Sequence, residues 1–174
     1  MNEDNVPDTI SFSPGGRLPC GRCMSKSYER EFVSRVASVL EEAGLKFLRQ
    51  PAFSYLGIIK GSQSSEADGV LFLDSCTVIL EIEKKDFASD TVVKYHRALE
   101  KKLLNIDVMR GRLALVQAFI TNNMKPLRIE NAKYMGELFE RDHGACYISA
   151  ECKDENIPEL VNQVQGPLLK FAKG

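Results

Sequence analysis

The chain carries EADGVLFLDSCTVILEIEKK at residues 66–85, two apolar runs broken by a short polar turn and bounded at both ends by acids. The runs, 69–73 and 77–82 around Asp74-Ser75-Cys76, follow the pattern of a β-hairpin. Both are apolar on both faces, so their sheet is expected to be covered on both sides. Acidic residues are rare inside runs this apolar. Glu81 and Glu83 are two apart on the second strand, which places both on one face. If the loop is Asp74 and Ser75 alone, Leu73 pairs with Cys76 and Asp68 with Glu81. Paired residues share a face with β-carbons roughly 5 Å apart, and Glu83 lies about 7 Å further along. Three carboxylates then converge at one edge of a sheet, and Lys85 joins them if the strand persists. A loop longer by one residue would send Asp68 to the other face, and Asp-Ser is not the preferred two-residue turn. Carboxylates this close repel, and burial adds a desolvation cost. A hard divalent cation such as Mg²⁺ would offset that through oxygen ligands and retained waters. A basic neighbour (Lys84, Lys85 or Lys94) or a solvated strand end would also do so.

Upstream, Ser27 can cap a helix running to about Ala43, with Gly44 ending it. Phe32, Val33, Val36, Val39, Leu40 and Ala43 form its apolar face. Glu29 falls on that same face, where a carboxylate is costly unless paired or holding a cation. The other reading of Glu29 is a helix-start acid helped by the macrodipole. Residues 45–59 read as a strand, interrupted near Pro51, and 61–65 (GSQSS) as a loop. Downstream follow a helix over 87–106, a strand over 112–121, a helix over 125–141, a strand over 145–150 and a helix over 157–171. Pro158 suits the first turn of that last helix, and Gly166-Pro167 is expected to kink or split it. The order of helix, three strands, helix, strand, helix, strand, helix defines an α/β fold, a mixed sheet sandwiched between helices. Residues 1–26 hold Pro7, Pro14, Gly15, Gly16, Pro19 and Gly21 and read as a loop-rich arm. Arg17, Arg22 and Lys26 make its second half basic. A single domain is expected over 27–174.

The whole chain has 174 residues, 44% of them apolar and 27% charged, with a net charge of −1. That balance excludes a binder working through overall basicity but not a local basic surface. No apolar stretch is long enough for a membrane span. The start, MNEDNVPD, is acidic without an apolar core, so no secretory signal is expected, and a cytoplasmic, intracellular setting follows. The five cysteines then read as reduced thiols. Cys20 and Cys23 form a CxxC, but a structural zinc needs four soft ligands. Cys76, Cys146 and Cys152 are scattered, and His96 and His143 are not spaced as a ligand pair. A redox role wants the motif opening a helix after a strand, whereas Pro19 and Ser25 to Ser27 place it in a loop.

The acidic arrangement resembles the PD-(D/E)xK nuclease superfamily, the fold of many restriction endonucleases. The matching residues are Ala67-Asp68, then Glu81-Ile82-Glu83, with Lys85 two further on. Ala67 replaces the motif's Pro, and Glu83 stands where the family has Lys. Alternatively the half-motif is Glu83-Lys84-Lys85, which reads Glu-x-Lys directly. The resemblance spans residues 27–122 and implies a restriction-endonuclease-like αβββαβ core. It implies a metal-dependent endonuclease hydrolysing double-stranded DNA, most simply a type II restriction endonuclease. Asp68 and Glu81, with Glu29, would hold Mg²⁺, for which Mn²⁺ would substitute. Glu83 or Lys85 would act on the attacking water, with Asp68, Glu81, Glu83 and Lys85 as the catalytic set. DNA contacts are expected from Arg17, Arg22, Lys26, Lys94 and Arg97, with Lys101, Lys102, Arg110 and Arg112 behind them. The same resemblance implies a homodimer. Residues 134–139 and 160–169 are apolar enough for its interface, and equally suited to the core. Alternatives on this fold are a Holliday-junction resolvase, a repair nuclease or a non-catalytic DNA-binding protein.

Overall fold

The computed structural model describes residues 27–61, 66–84, 88–105 and 111–174. The arm residues Arg17, Cys20, Arg22, Cys23 and Lys26 lie outside the described residues, as do Lys85 and Arg110. Helix α1 (Ser27–Glu42) buries Phe32, Val33, Val36, Ala37 and Leu40. It closes in a Schellman turn: Leu45 N–H donates to the Leu40 carbonyl at 3.0 Å and Gly44 N–H to that of Glu41 at 2.9 Å. Gly44 takes φ +81°, the left-handed conformation that this turn requires.

Strands β1 (Ala52–Leu56), β2 (Glu66–Phe72) and β3 (Cys76–Glu83) pair antiparallel in succession. Helix α2 (Ala88–Glu100) then crosses to β4 (Arg112–Ile120), parallel to β3. Helix α3 (Pro126–His143) crosses to β5 (Cys146–Cys152), parallel to β4, and α4 (Ile157–Lys173) follows. The result is one mixed five-stranded sheet in the order β1-β2-β3-β4-β5. Helices α1 and α4 pack together over one face, where Leu71, Val78, Leu80, Val116 and Ala118 meet Phe32, Val36, Leu160 and Val164. Helices α2 and α3 cover the other, where Val70, Phe72, Ile79 and Leu115 meet Val92, Tyr95 and Phe139. Two covered faces explain why both central runs carry apolar residues on both sides, with Thr77 and Glu81 the buried exceptions.

The hairpin has the two-residue loop. Leu73 N–H donates to the Cys76 carbonyl at 2.9 Å, and Phe72 pairs with Thr77 and Gly69 with Leu80. Continued by one pair, this register sets Asp68 opposite Glu81.

Elsewhere the expected elements change length. Within 45–59, regular strand is limited to Ala52–Leu56. Helix α2 stops at Glu100 and does not reach 106, because Lys102 turns left-handed at φ +53°. Its end is another Schellman turn, with Leu103 N–H on the Ala98 carbonyl at 2.8 Å and Lys102 N–H on that of Leu99 at 3.0 Å. No glycine marks the spot. Helix α4 runs unbroken through Pro167, contrary to expectation. Gly166 has no β-carbon to meet the proline ring, which is what normally forces the preceding residue out of the helix. The carbonyl that loses its donor belongs to Gln163, on the exposed face. Of the segments suited to a dimer interface, Phe139, Leu160, Val161, Val164 and Leu168 are buried in this chain's own core, and Tyr134 is exposed. Among the described residues no helix is long and apolar enough to cross a membrane.

Candidate active site

Asp68 sits one position beyond the last regular pair of β2 with β3, at a position that the β1 ladder skips. Toward β1, the register passes from Phe53–Gly69 to Tyr55–Ala67, and the intervening Ser54 takes φ +46°. Toward β3, hydrogen-bonded pairs alternate from Leu73–Cys76, so the Ile82 amide would next fall to the Ala67 carbonyl. Instead it donates to Asp68 Oδ2 at 2.8 Å. The carboxylate thus replaces a main-chain acceptor just where the strands begin to part. Asp68 follows the parity of Val70 and Phe72, and Glu81 and Glu83 that of Ile79, so all three acids face α2 and α3. They stand at the carboxyl end of β3, the end at which open α/β sheets bind ligands.

Helix α2 supplies the donors. Ala88 opens it, and Thr91, Lys94 and Tyr95 occupy its first two turns. Lys94 Nζ donates to Glu81 Oε1 at 2.9 Å and to the Glu66 carbonyl at 3.2 Å. The Tyr95 hydroxyl donates to the same Glu81 oxygen, and the Thr91 hydroxyl to Glu83 Oε1. Glu81 is only 5% exposed. Burial pushes its pKa up from 4.5 to about 7; the Asp68 charge adds to this, while Lys94 and the Tyr95 hydrogen bond oppose it. Burial also raises Glu83, against the hydrogen bonds from Thr91 and Gln117. Burial, then the Glu81 charge, holds the Tyr95 phenol well above its ordinary value, so it remains a donor.

The other expected residues divide clearly. Glu29 is half-buried and accepts from the Tyr28 hydroxyl. Burial and Glu29 raise Tyr28, and the Asp68 charge adds to that, so the start of α1 lies toward the acidic end of the sheet. Lys84 turns away from the acids: its ammonium lies 3.4 Å from the Tyr28 ring centroid and 2.6 Å from Glu155 Oε1. Lys85, proposed for the water, lies outside the described residues. Of the three ways to offset the acidic repulsion, the basic neighbour is present, and it is Lys94. This lysine is drawn into the site, whereas Arg97 one turn on is exposed. Together they line a shallow cavity of about 380 Å³ with Ile59, Val93 and Leu103. Arg112 hydrogen-bonds the Phe171 carbonyl at 2.6 Å, at the far end of the sheet from the acids.

Among the described residues no group of three or more acidic, histidine or cysteine side chains is gathered as a metal cage. Mg²⁺ needs no such cage, since one or two carboxylates suffice and waters complete its shell. Asp68 and Glu81 offer two carboxylates on one face. Lys94 pairs with Glu81 at 2.9 Å, and burial, reinforced by the Asp68 charge, still raises Glu81, so the lysine offsets the acidic repulsion only in part. The donor set fits a hard divalent cation.

Sequence reasoning missed Thr91, Tyr95, Gln117 and Tyr147 as members of this network. Gln117 left a trace, a polar residue in the middle of RLALVQAFI. Reasoning from spacing also separated the two histidines, yet His143 Nε2 and His96 Nδ1 lie 3.0 Å apart where α2 and α3 pack. Compared with family profiles, curated proteins and solved structures, the chain matches none.

Proposed function

We propose that this chain is a Mg²⁺-dependent endonuclease with a restriction-endonuclease-like core, hydrolysing phosphodiester bonds of double-stranded DNA as type II restriction enzymes do. The observation that carries this reading is the tight hairpin that holds Asp68 against Glu81 with Glu83 beside them, and the α2 lysine that reaches into the same group. The helix, three strands, helix, strand order also supports it.

In this reading Asp68 and Glu81 would hold the cation, and it would supply Lewis-acid chemistry when bound. The Lys94 ammonium, 2.9 Å from Glu81, would hold a phosphate oxygen or the attacking water, the role also expected of Lys85. Glu83, fixed by Thr91, is the acceptor for the water's proton. Arg97, exposed on the next turn of α2, would contact the DNA backbone.

The test is a long duplex DNA incubated with the protein, with Mg²⁺ or with chelator. Discrete Mg²⁺-dependent fragments are expected from the native protein and none from Asp68→Asn. Undiminished cutting by Asp68→Asn would overturn the assignment.

One observation favours a second reading, a non-catalytic DNA-binding protein on the same fold: Glu81 already has an ammonium and a phenol as partners. In that case Mg²⁺ would neither raise the melting temperature nor permit cleavage, while duplex DNA would still bind.

A further inference from the structure

Between Leu113 and Ile120, strand β4 is apolar except at Gln117, which is fully buried. A buried amide must satisfy both of its ends. Gln117 Nε2 donates to the Ala88 carbonyl at 2.7 Å and leans toward Glu83 Oε1 at 3.4 Å. Its Oε1 accepts from the Tyr147 hydroxyl at 2.8 Å. The reverse orientation would turn an oxygen toward both the carbonyl and the carboxylate, so the network fixes which way the amide points. The phenol comes from β5, and its ring lies under α3 at Gly136. A β-carbon on Gly136 would stand 2.2 Å from Tyr147 Cε1. The ring therefore occupies room that only a glycine leaves.

Ala88 is the first residue of α2, the helix that carries Thr91, Lys94 and Tyr95 to the acids. Gln117 thus tethers that helix at its origin and touches Glu83 directly. We infer that Gln117, oriented by Tyr147, is a positioning residue that sets the first turn of α2 against β3 and so aligns Glu83 and the Lys94–Glu81 pair. The inference deepens the nuclease reading and rests on it for its kinetic consequence.

Two variants test it, Tyr147→Phe, which removes one oxygen and keeps the ring, and Gln117→Leu, which removes the tether. Steady-state Mg²⁺-dependent cleavage of duplex DNA gives kcat and KM. Hydrogen exchange at the 91–95 amides gives the state of α2 independently of activity. The expected result is a kcat lower by about 10- to 100-fold with KM unchanged, and faster exchange at 91–95 with exchange in β4 and β5 unaltered. Native kcat and native exchange in both variants would overturn the inference. So would parallel changes in KM and in exchange throughout the sheet, the mark of a general packing role. If the native protein cuts no DNA, the nuclease reading fails alone. The exchange arm then decides the tether, and unaltered exchange at 91–95 would dismiss it.

Discussion

At Glu81 a carboxylate is held in the core at 5% exposure, with its pKa raised from 4.5 to about 7 chiefly by burial. The folded chain therefore keeps a proton there that the unfolded chain releases. The associated stability is fully present below about pH 4.5 and is lost as pH rises through about 7. At about 1.4 kcal/mol per pH unit the interval is worth on the order of 3 kcal/mol. Without added metal, the urea midpoint of the native protein is expected to fall between pH 5 and pH 8. Glu83 is raised as well and contributes in the same sense. In Glu81→Gln the decline should shrink, and an equally steep decline in that variant would show that Glu81 is not its source. The acids themselves were legible in the sequence, because strand spacing and a two-residue turn are local rules. Their partners were not. Lys94 and Tyr95 lie 13 and 14 residues from Glu81, and Gln117 lies 34 from Glu83, distances bridged only by the packing of α2 and β4 on β3. Periodicity marks Lys94 as one more cation on a helix and says nothing of which way it turns.

At the scale of the element, α4 shows a local rule failing for a local reason. Proline in a helix interior lacks a donor and strains the residue before it. In α4 the residue before it is Gly166, and a β-carbon there would meet nothing else within 4 Å. Pro167→Ala restores the missing bond and is expected to stabilise the chain by about 1–3 kcal/mol. Gly166→Ala ordinarily gains about 1 kcal/mol in an exposed helix. Beside Pro167 it should destabilise, and in the Gly166→Ala/Pro167→Ala double variant it should stabilise again. Urea unfolding of the four proteins measures the cycle, and a stabilising Gly166→Ala on its own would refute the explanation. Helix α2 departs from expectation for another reason. Its left-handed terminus at Lys102 has no glycine to announce it, and the following Leu104 is drawn into a bridge with Ile59, a contact no window of sequence contains. Strand identity and order were readable throughout, since continuous apolar runs bounded by turns have few other uses.

Across the whole molecule the sheet joins two kinds of connection. Its β1–β2–β3 half is antiparallel, and its β3–β4–β5 half is parallel, each parallel step spanned by a helix. The acidic group sits on β2 and β3, with the donors arriving on the first crossover helix. The two-residue turn between Phe72 and Thr77 closes a very short loop, whereas docking α2 and pairing β4 close long ones, and short loops form sooner. A refolding chain is therefore expected to bring Asp68 and Glu81 together before Lys94 reaches them, leaving the repulsion for that interval without its lysine partner. The kinetic barrier should carry it. Above pH 7 the refolding limb of the chevron is expected to be faster for Glu81→Gln than for the native sequence, with the unfolding limb nearly superimposable. A change confined to the unfolding limb would mean that the hairpin forms after the rate-limiting step. On this expectation, the tight turn that assembles the site also makes the speed of folding sensitive to its charge.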